Sequence, residues 1–144
     1  MHILMCNDDG ILADGLRQLA TYLSQYYRIT VVAPATEQSA KSHALTTEIP
    51  LKLDAYNGED ENPSLYALTG TPSDCMKFGL SYLLTDDMPD LVISGINHGF
   101  NLGSDVLYSG TVSAAMESCF YGIPGLALSV ERYSTERGNE MHPF

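Results

Sequence analysis

The sequence has no tryptophan, only three cysteines in 144 residues, and only seven Lys and Arg against 18 Asp and Glu. Each scarcity excludes something. A formal charge of -11 repels duplex nucleic acid over most of the surface, because affinity for a duplex comes largely from Lys and Arg neutralising phosphates. Cys6, Cys75 and Cys119 are odd in number, far apart and each set in an apolar segment. That pattern predicts buried free thiols and argues against a disulfide framework or a zinc site. No apolar run approaches the roughly 20 residues that cross a bilayer, and no basic region precedes the short apolar N-terminus. The default expectation is a soluble cytoplasmic protein with no membrane partner. Both the G-x-G-x-x-G dinucleotide fingerprint and the G-K-[ST] phosphate loop are missing. Nucleotide-cofactor and ATP-hydrolysing readings lose their usual support.

What is present reads as an ordinary globular chain. Hydrophobic residues make up 44% and charged residues 17%, with a mean hydropathy of -0.05. The length predicts one domain over residues 1–144. Continuous apolar runs suited to strands buried on both faces alternate with amphipathic segments. The expected strands are His2–Cys6, Ile29–Ala33, Leu65–Leu68, Asp90–Ser94 and Gly125–Val130. Helices are expected at Gly15–Gln25, from Pro72 onward with Met76, Leu80 and Leu83 inward, and at Thr111–Tyr121 with Val112, Ala115, Met116 and Cys119 as its apolar stripe. Lys52–Ser64 reads as a solvated loop, and Tyr133–Phe144 has no clear periodicity. The alternation predicts an α/β fold, a mostly parallel sheet flanked by helices on both faces, with ligands at the carboxyl ends of the strands.

The chemistry concentrates at those ends. Asn7-Asp8-Asp9-Gly10 follows the first strand directly. One Asp there is explained by a turn or a helix cap. Two adjacent carboxylates with no basic residue close by instead favour a hard cation with oxygen ligands, such as magnesium or manganese. After the second strand, the polar loop 33–43 carries hydroxyls and Lys41, within reach of a metal or a phosphate. The fourth strand runs into Ser94-Gly95-Ile96-Asn97-His98-Gly99-Phe100-Asn101, a Gly- and Asn-rich loop that brings backbone close to a ligand and offers amide oxygens. Tyr108-Ser109-Gly110-Thr111 opens the third helix, where a hydroxyl cap is ordinary but free N–H groups also receive an anion. His43 and His98 adjoin these loops as acid, base or substrate contacts.

Two function classes compete: a metal-dependent phosphomonoesterase and a phosphoacceptor signalling domain. The second requires an Asp closing the third strand and a Lys after the fifth. Here Thr69-Gly70-Thr71 follows the third strand, and Lys41, Lys52 and Lys77 all precede the fifth.

Five blocks in one order, NDDG, the Ser39 loop, GTPSDC, SGIN-x-G-x-NLG and YSGTV-x-AAME, span Asn7 to Glu117. In this combination the chain closely resembles the SurE family of stationary-phase survival nucleotidases. The resemblance implies a three-layer Rossmann-like fold and a 5′-nucleotidase or acid-phosphatase-like hydrolase that cleaves nucleoside 5′- and 3′-monophosphates with one divalent cation, Mn2+ or Mg2+, per subunit. It further implies Asp8, Asp9, Ser39 and Asn97 as metal ligands, Asp8 and Asp9 as catalytic groups, and Ser109, Gly110 and Thr111 as the phosphate turn. Ser42, His43 and Asn101 are candidate substrate contacts. The family usually has Gly after the metal-binding Ser, whereas this chain has Ala40. The family's C-terminal arms, through which a homodimer or homotetramer assembles, have no counterpart before Phe144, so the C-terminal part of the family fold is expected to be missing.

Overall fold

The computed structural model describes residues 1–57 and 61–131. The expected irregular segment Tyr133–Phe144 and part of the loop around Asn57 lie outside the described residues. Six strands form one sheet: β1 (His2–Cys6), β2 (Arg28–Pro34), β3 (Leu53–Ala55), β4 (Ser64–Leu68), β5 (Leu91–His98) and β6 (Gly125–Val130). Their spatial order is β3-β4-β2-β1-β5-β6. Every pairing is parallel except β3 with β4.

Side-chain alternation along the central strands builds two cores, one on each face. Leu4 and Cys6 join Val32, Leu68 and Val92 on one side, where Cys75 and Met76 of α2 (Pro72–Phe78) and Ala114 of α3 (Gly110–Cys119) cover them. Ile3 and Met5 join Val31, Ala33 and Ile93 on the other, under Leu16 and Ala20 of α1 (Asp14–Leu23). This is the expected three-layer arrangement. The chain steps from β1 outward to β2 and β4, then returns to lay β5 on the other side of β1. The sheet therefore reverses direction at β1 and β5, and ligands collect at such a crevice beyond the carboxyl ends.

Several expectations need correction. β5 continues through His98, so the Gly- and Asn-rich block is strand over most of its length. Lys52–Ser64 is not all loop, because Leu53–Ala55 adds an antiparallel edge strand. A short 3-10 turn occupies Gly103–Leu107. On α3 the expected apolar stripe holds only in part: Ala115 is buried and Val112 half-buried, but Met116 and Cys119 are exposed, while Thr111, Ser113, Ala114, Glu117 and Ser118 also face inward. Small residues lie inward because α3 packs close to its neighbours; a Cβ on Gly125 of β6 would lie 2.2 Å from the Ala115 carbonyl oxygen. Of the three thiols, Cys6 and Cys75 are buried as expected and Cys119 is not. Burial first, and then the adjoining Cys6 thiol, push the Cys75 thiol well above its ordinary range. Among the described residues, no helix is long and apolar enough to cross a membrane.

Candidate active site at the carboxyl edge of the sheet

The turn after β1 is locked by Asn7. Its Nδ2 donates to the Gly10 carbonyl at 3.0 Å, and its Oδ1 accepts the Gly10 N–H at 3.1 Å. Asn7 is fully buried, so this paired bond shapes the turn rather than meeting solvent. The turn leaves Asp8 almost wholly buried and Asp9 half-buried.

Asp8 points at the start of α3. Its Oδ1 accepts the Thr111 hydroxyl at 2.5 Å, and its backbone carbonyl accepts the Gln38 N–H at 2.7 Å. Gly110 makes the approach feasible, because a Cβ there would lie 2.8 Å from the Asp8 Cβ and 3.0 Å from Pro72 Cγ. Ser109 caps the helix through its Oγ, which accepts the Val112 N–H at 3.1 Å. That cap leaves the Gly110 and Thr111 N–H groups, at the positive end of the helix dipole, without an intrahelical acceptor.

From the other side comes the loop after β2. Gln38 is tied to the Asp8 backbone, and the next residue, Ser39, is exposed, with its Oγ donating to Glu37 Oε1 at 2.7 Å. Ala40 and Ser42 both hold positive φ, +57° and +54°. Ser42 donates from its N–H to the Tyr108 carbonyl at 3.2 Å and from its Oγ to the Leu107 carbonyl at 2.7 Å. His43 Nε2 lies 2.6 Å from Glu117 Oε2 on α3.

Asn97 reaches this edge on β5. The register between β5 and β6 shifts between Ser94 and Asn97, at Gly95, whose φ is +128° and where a Cβ would come within 2.3 Å of the Leu128 carbonyl oxygen. A bulge of this kind re-aims the side chains beyond it. Asn97 Nδ2 then donates to the Gly99 carbonyl at 2.7 Å, which turns Oδ1 away from that bond. Asn101 is held by β6 instead, its Nδ2 donating to Ser129 Oγ at 2.9 Å.

The structure thus brings Asp8, Gly110 and Thr111 into direct contact and fastens the Ser39 loop next to them. Among the described residues, no hydrogen bond joins Ser39 or Asn97 to the Asp8 carboxylate. Nor is there a cluster of three or more His, Cys, Asp and Glu side chains able to hold a metal. The available donors are two carboxylates, a hydroxyl and an amide oxygen. That oxygen-only set suits a hard cation and not zinc. Electrostatics points the same way: an anion received by the Gly110 and Thr111 N–H groups would sit beside the Asp8 carboxylate, and the two repel unless a cation lies between them. Sequence reasoning missed Asn7, Gln38 and Glu117. For Asn7 the Asn-x-x-Gly spacing was a readable turn signal; Gln38 acts through its backbone and Glu117 through a long-range contact, and neither leaves a local signature.

The sequence profile described as "Survival protein SurE" matches residues 3–143. The chain belongs to the SurE family. Among curated relatives, "5'-nucleotidase SurE" of Thermoanaerobacter sp. (strain X514) is 54% identical over 129 residues, covering 90% of this chain and 50% of that protein. The same-named protein of Thermosipho africanus (strain TCF52B) is 53% identical over 132 residues, again 90% of this chain and 50% of the relative. The crystal structure of the SurE protein from Aquifex aeolicus superposes with a TM-score of 0.81 at 42% identity, covering 98% of this chain and 54% of that one. This SurE-family chain spans about half the length of the curated relatives it matches.

Proposed function

We propose that the chain carries the catalytic edge of a divalent-metal-dependent nucleotidase that hydrolyses nucleoside 5′- and 3′-monophosphates to nucleoside and phosphate. The observation that carries this reading is the Asp8–Thr111 contact: a buried carboxylate and the open N-terminus of α3 meet at the point where the sheet reverses. Relatives named 5'-nucleotidase SurE support the substrate class.

Asp8, Asp9, Ser39 and Asn97 are the residues that would hold the cation. A divalent cation supplies a Lewis acid for phosphoryl oxygens and acidifies a water ligand. The Gly110 and Thr111 N–H groups receive the equatorial phosphate oxygens and stabilise charge that grows on them in the transition state. Thr111 keeps the Asp8 carboxylate oriented through its hydroxyl. Asp8 or the half-buried Asp9 next to it in the chain would steer or deprotonate the attacking water. Ser42, His43 and Asn101 are the candidate substrate contacts.

The test is phosphate release from nucleoside 5′- and 3′-monophosphates with Mn2+ or Mg2+, with and without EDTA, for the parent chain and for Asp8→Asn, alongside Mn2+ calorimetry. EDTA and Asp8→Asn should each remove most of the activity, and Asp8→Asn should weaken Mn2+ binding. Activity that survives chelation, or an Asp8→Asn variant as active as the parent, overturns the mechanism.

A further inference from the structure

The loop between β2 and β3, residues 35–52, has no strand or helix of its own. Irregular backbone stays ordered only where outside partners hold it. Gln38 is bound to the end of β1, and Ser42 to the turn before α3. Further along, the Thr71 hydroxyl donates to the Ala44 carbonyl at 2.7 Å and the Thr46 N–H donates to Asp74 Oδ1 at 2.9 Å. Thr71 and Asp74 form the capping box of α2, so the loop borrows groups that already serve a helix end.

The remaining anchor is of another kind. Glu117 sits on the buried face of α3, its side chain 8% exposed, in a row otherwise made of small residues. Its hydrogen-bond and ion-pair partner among the described residues is His43 Nε2 at 2.6 Å. The Phe120 ring flanks the imidazole, with centroids 6.1 Å apart. Nothing in helix packing calls for a carboxylate at that position, and an acid buried without a partner is strongly disfavoured. The loop must therefore deliver His43 to α3 for the helix to keep Glu117 inside. Glu117 lies about two turns from Gly110 and Thr111 on one rigid helix. The same helix touches Asp8 with one end and grips the Ser39 loop from its flank.

We propose that Glu117 is a positioning residue: through His43 it locks the Ser39 loop onto α3 and so sets Ser39 against the Asp8–Thr111 pair. The assignment of Ser39 to the cation rests on the function proposed above; the lock itself does not. His43 then serves first as the bolt of this lock, and any contact with substrate is secondary to it.

Amide hydrogen exchange read by mass spectrometry over residues 36–46 tests the lock without any assay of activity. Glu117→Ala should raise exchange at Ser42 and Thr46 about tenfold or more while β1 and α1 keep their parental rates. Glu117→Gln, which retains an oxygen to accept from His43, should stay within about threefold of the parent. If Glu117→Ala unfolds globally, His43→Ala, a change on the half-buried loop side of the pair, should give the same local rise. Parental exchange over 36–46 in either folded variant overturns the proposal. Calorimetry with Mn2+ adds the positional part: Glu117→Ala should weaken binding about tenfold and Glu117→Gln should restore it. A loosened loop with unchanged Mn2+ affinity overturns the claim that the lock sets Ser39. A parent chain that binds no Mn2+ counts against the cation reading, while the exchange data still decide the lock.

Discussion

Thr111 donates its hydroxyl to Asp8 Oδ1 at 2.5 Å across 103 positions of sequence, and both groups are buried. A charge-assisted bond to a buried carboxylate is worth about 1.5–3 kcal/mol, and removing the donor leaves the acid with less to offset its desolvation. Thr111→Val keeps the shape and deletes the hydroxyl. Urea unfolding should show it less stable by about 1–3 kcal/mol, with Thr111→Ser close to the parent. A Thr111→Val midpoint equal to the parent's would show that the bond carries no net stability.

Ala40 holds a φ of +57°. An L-residue in that left-handed region is disfavoured by roughly 1–2 kcal/mol, while glycine gives back about 0.4–1 kcal/mol through a freer unfolded chain. Ala40→Gly should therefore leave the protein equally stable or stabilise it by up to about 1.6 kcal/mol. Ala40→Val, β-branched at the same φ, should destabilise it. Chemical unfolding of the pair measures both signs; a clear loss in Ala40→Gly would contradict the backbone argument.

At the opposite end of the strands, His2 is held neutral. Burial, and then the nearby Arg28 guanidinium, lower its pKa from 6.5 to about 4, against a smaller raising effect of Asp90. Its Nε2 lies 2.9 Å from Thr30 Oγ1, and its Nδ1 lies 2.7 Å from Arg28 Nη2 and 3.1 Å from the Asp87 carbonyl oxygen. Between pH 4 and 6.5 the unfolded chain binds the proton and the folded one does not, so stability is full above about 6.5 and falls as pH drops toward 4. The loss across that window amounts to at most about 3 kcal/mol. Thermal unfolding from pH 7 to 4.5 should show this slope, and His2→Gln should flatten it. An unchanged slope in the variant would place the titration elsewhere.

Most of the scaffold was legible because its cause is local. Runs such as Ile3 to Cys6 and Ile29 to Ala33 bury both faces of a parallel sheet, so hydrophobicity alone marks them. Thr71-Pro72-Ser73-Asp74 carries a capping box and starts α2 where the sequence indicates. The antiparallel β3 escaped notice because its three residues, half-buried or exposed, leave no apolar signal. Met116 and Cys119 of the α3 stripe misled for a related reason: periodicity finds an apolar face but not how much of it a neighbour covers, and close packing here selects small side chains such as Ala115 over Met116.

What the sequence determined by itself is the set of parallel strands and the chemistry placed at their carboxyl ends, since both follow from residues adjacent in the chain. Asp8 and Ser39 follow the ends of β1 and β2, Asn97 lies near the end of β5, and Thr111 stands in the first turn of α3. Only the tertiary structure decided which of them meet. Asp8 touches Thr111 because Gly110 lets a helix end approach where any side chain would collide. Glu117 holds His43 because a buried carboxylate requires a partner that no neighbouring residue on its helix supplies. Those outcomes depend on distances between elements, and such distances are set by packing rather than by any local pattern.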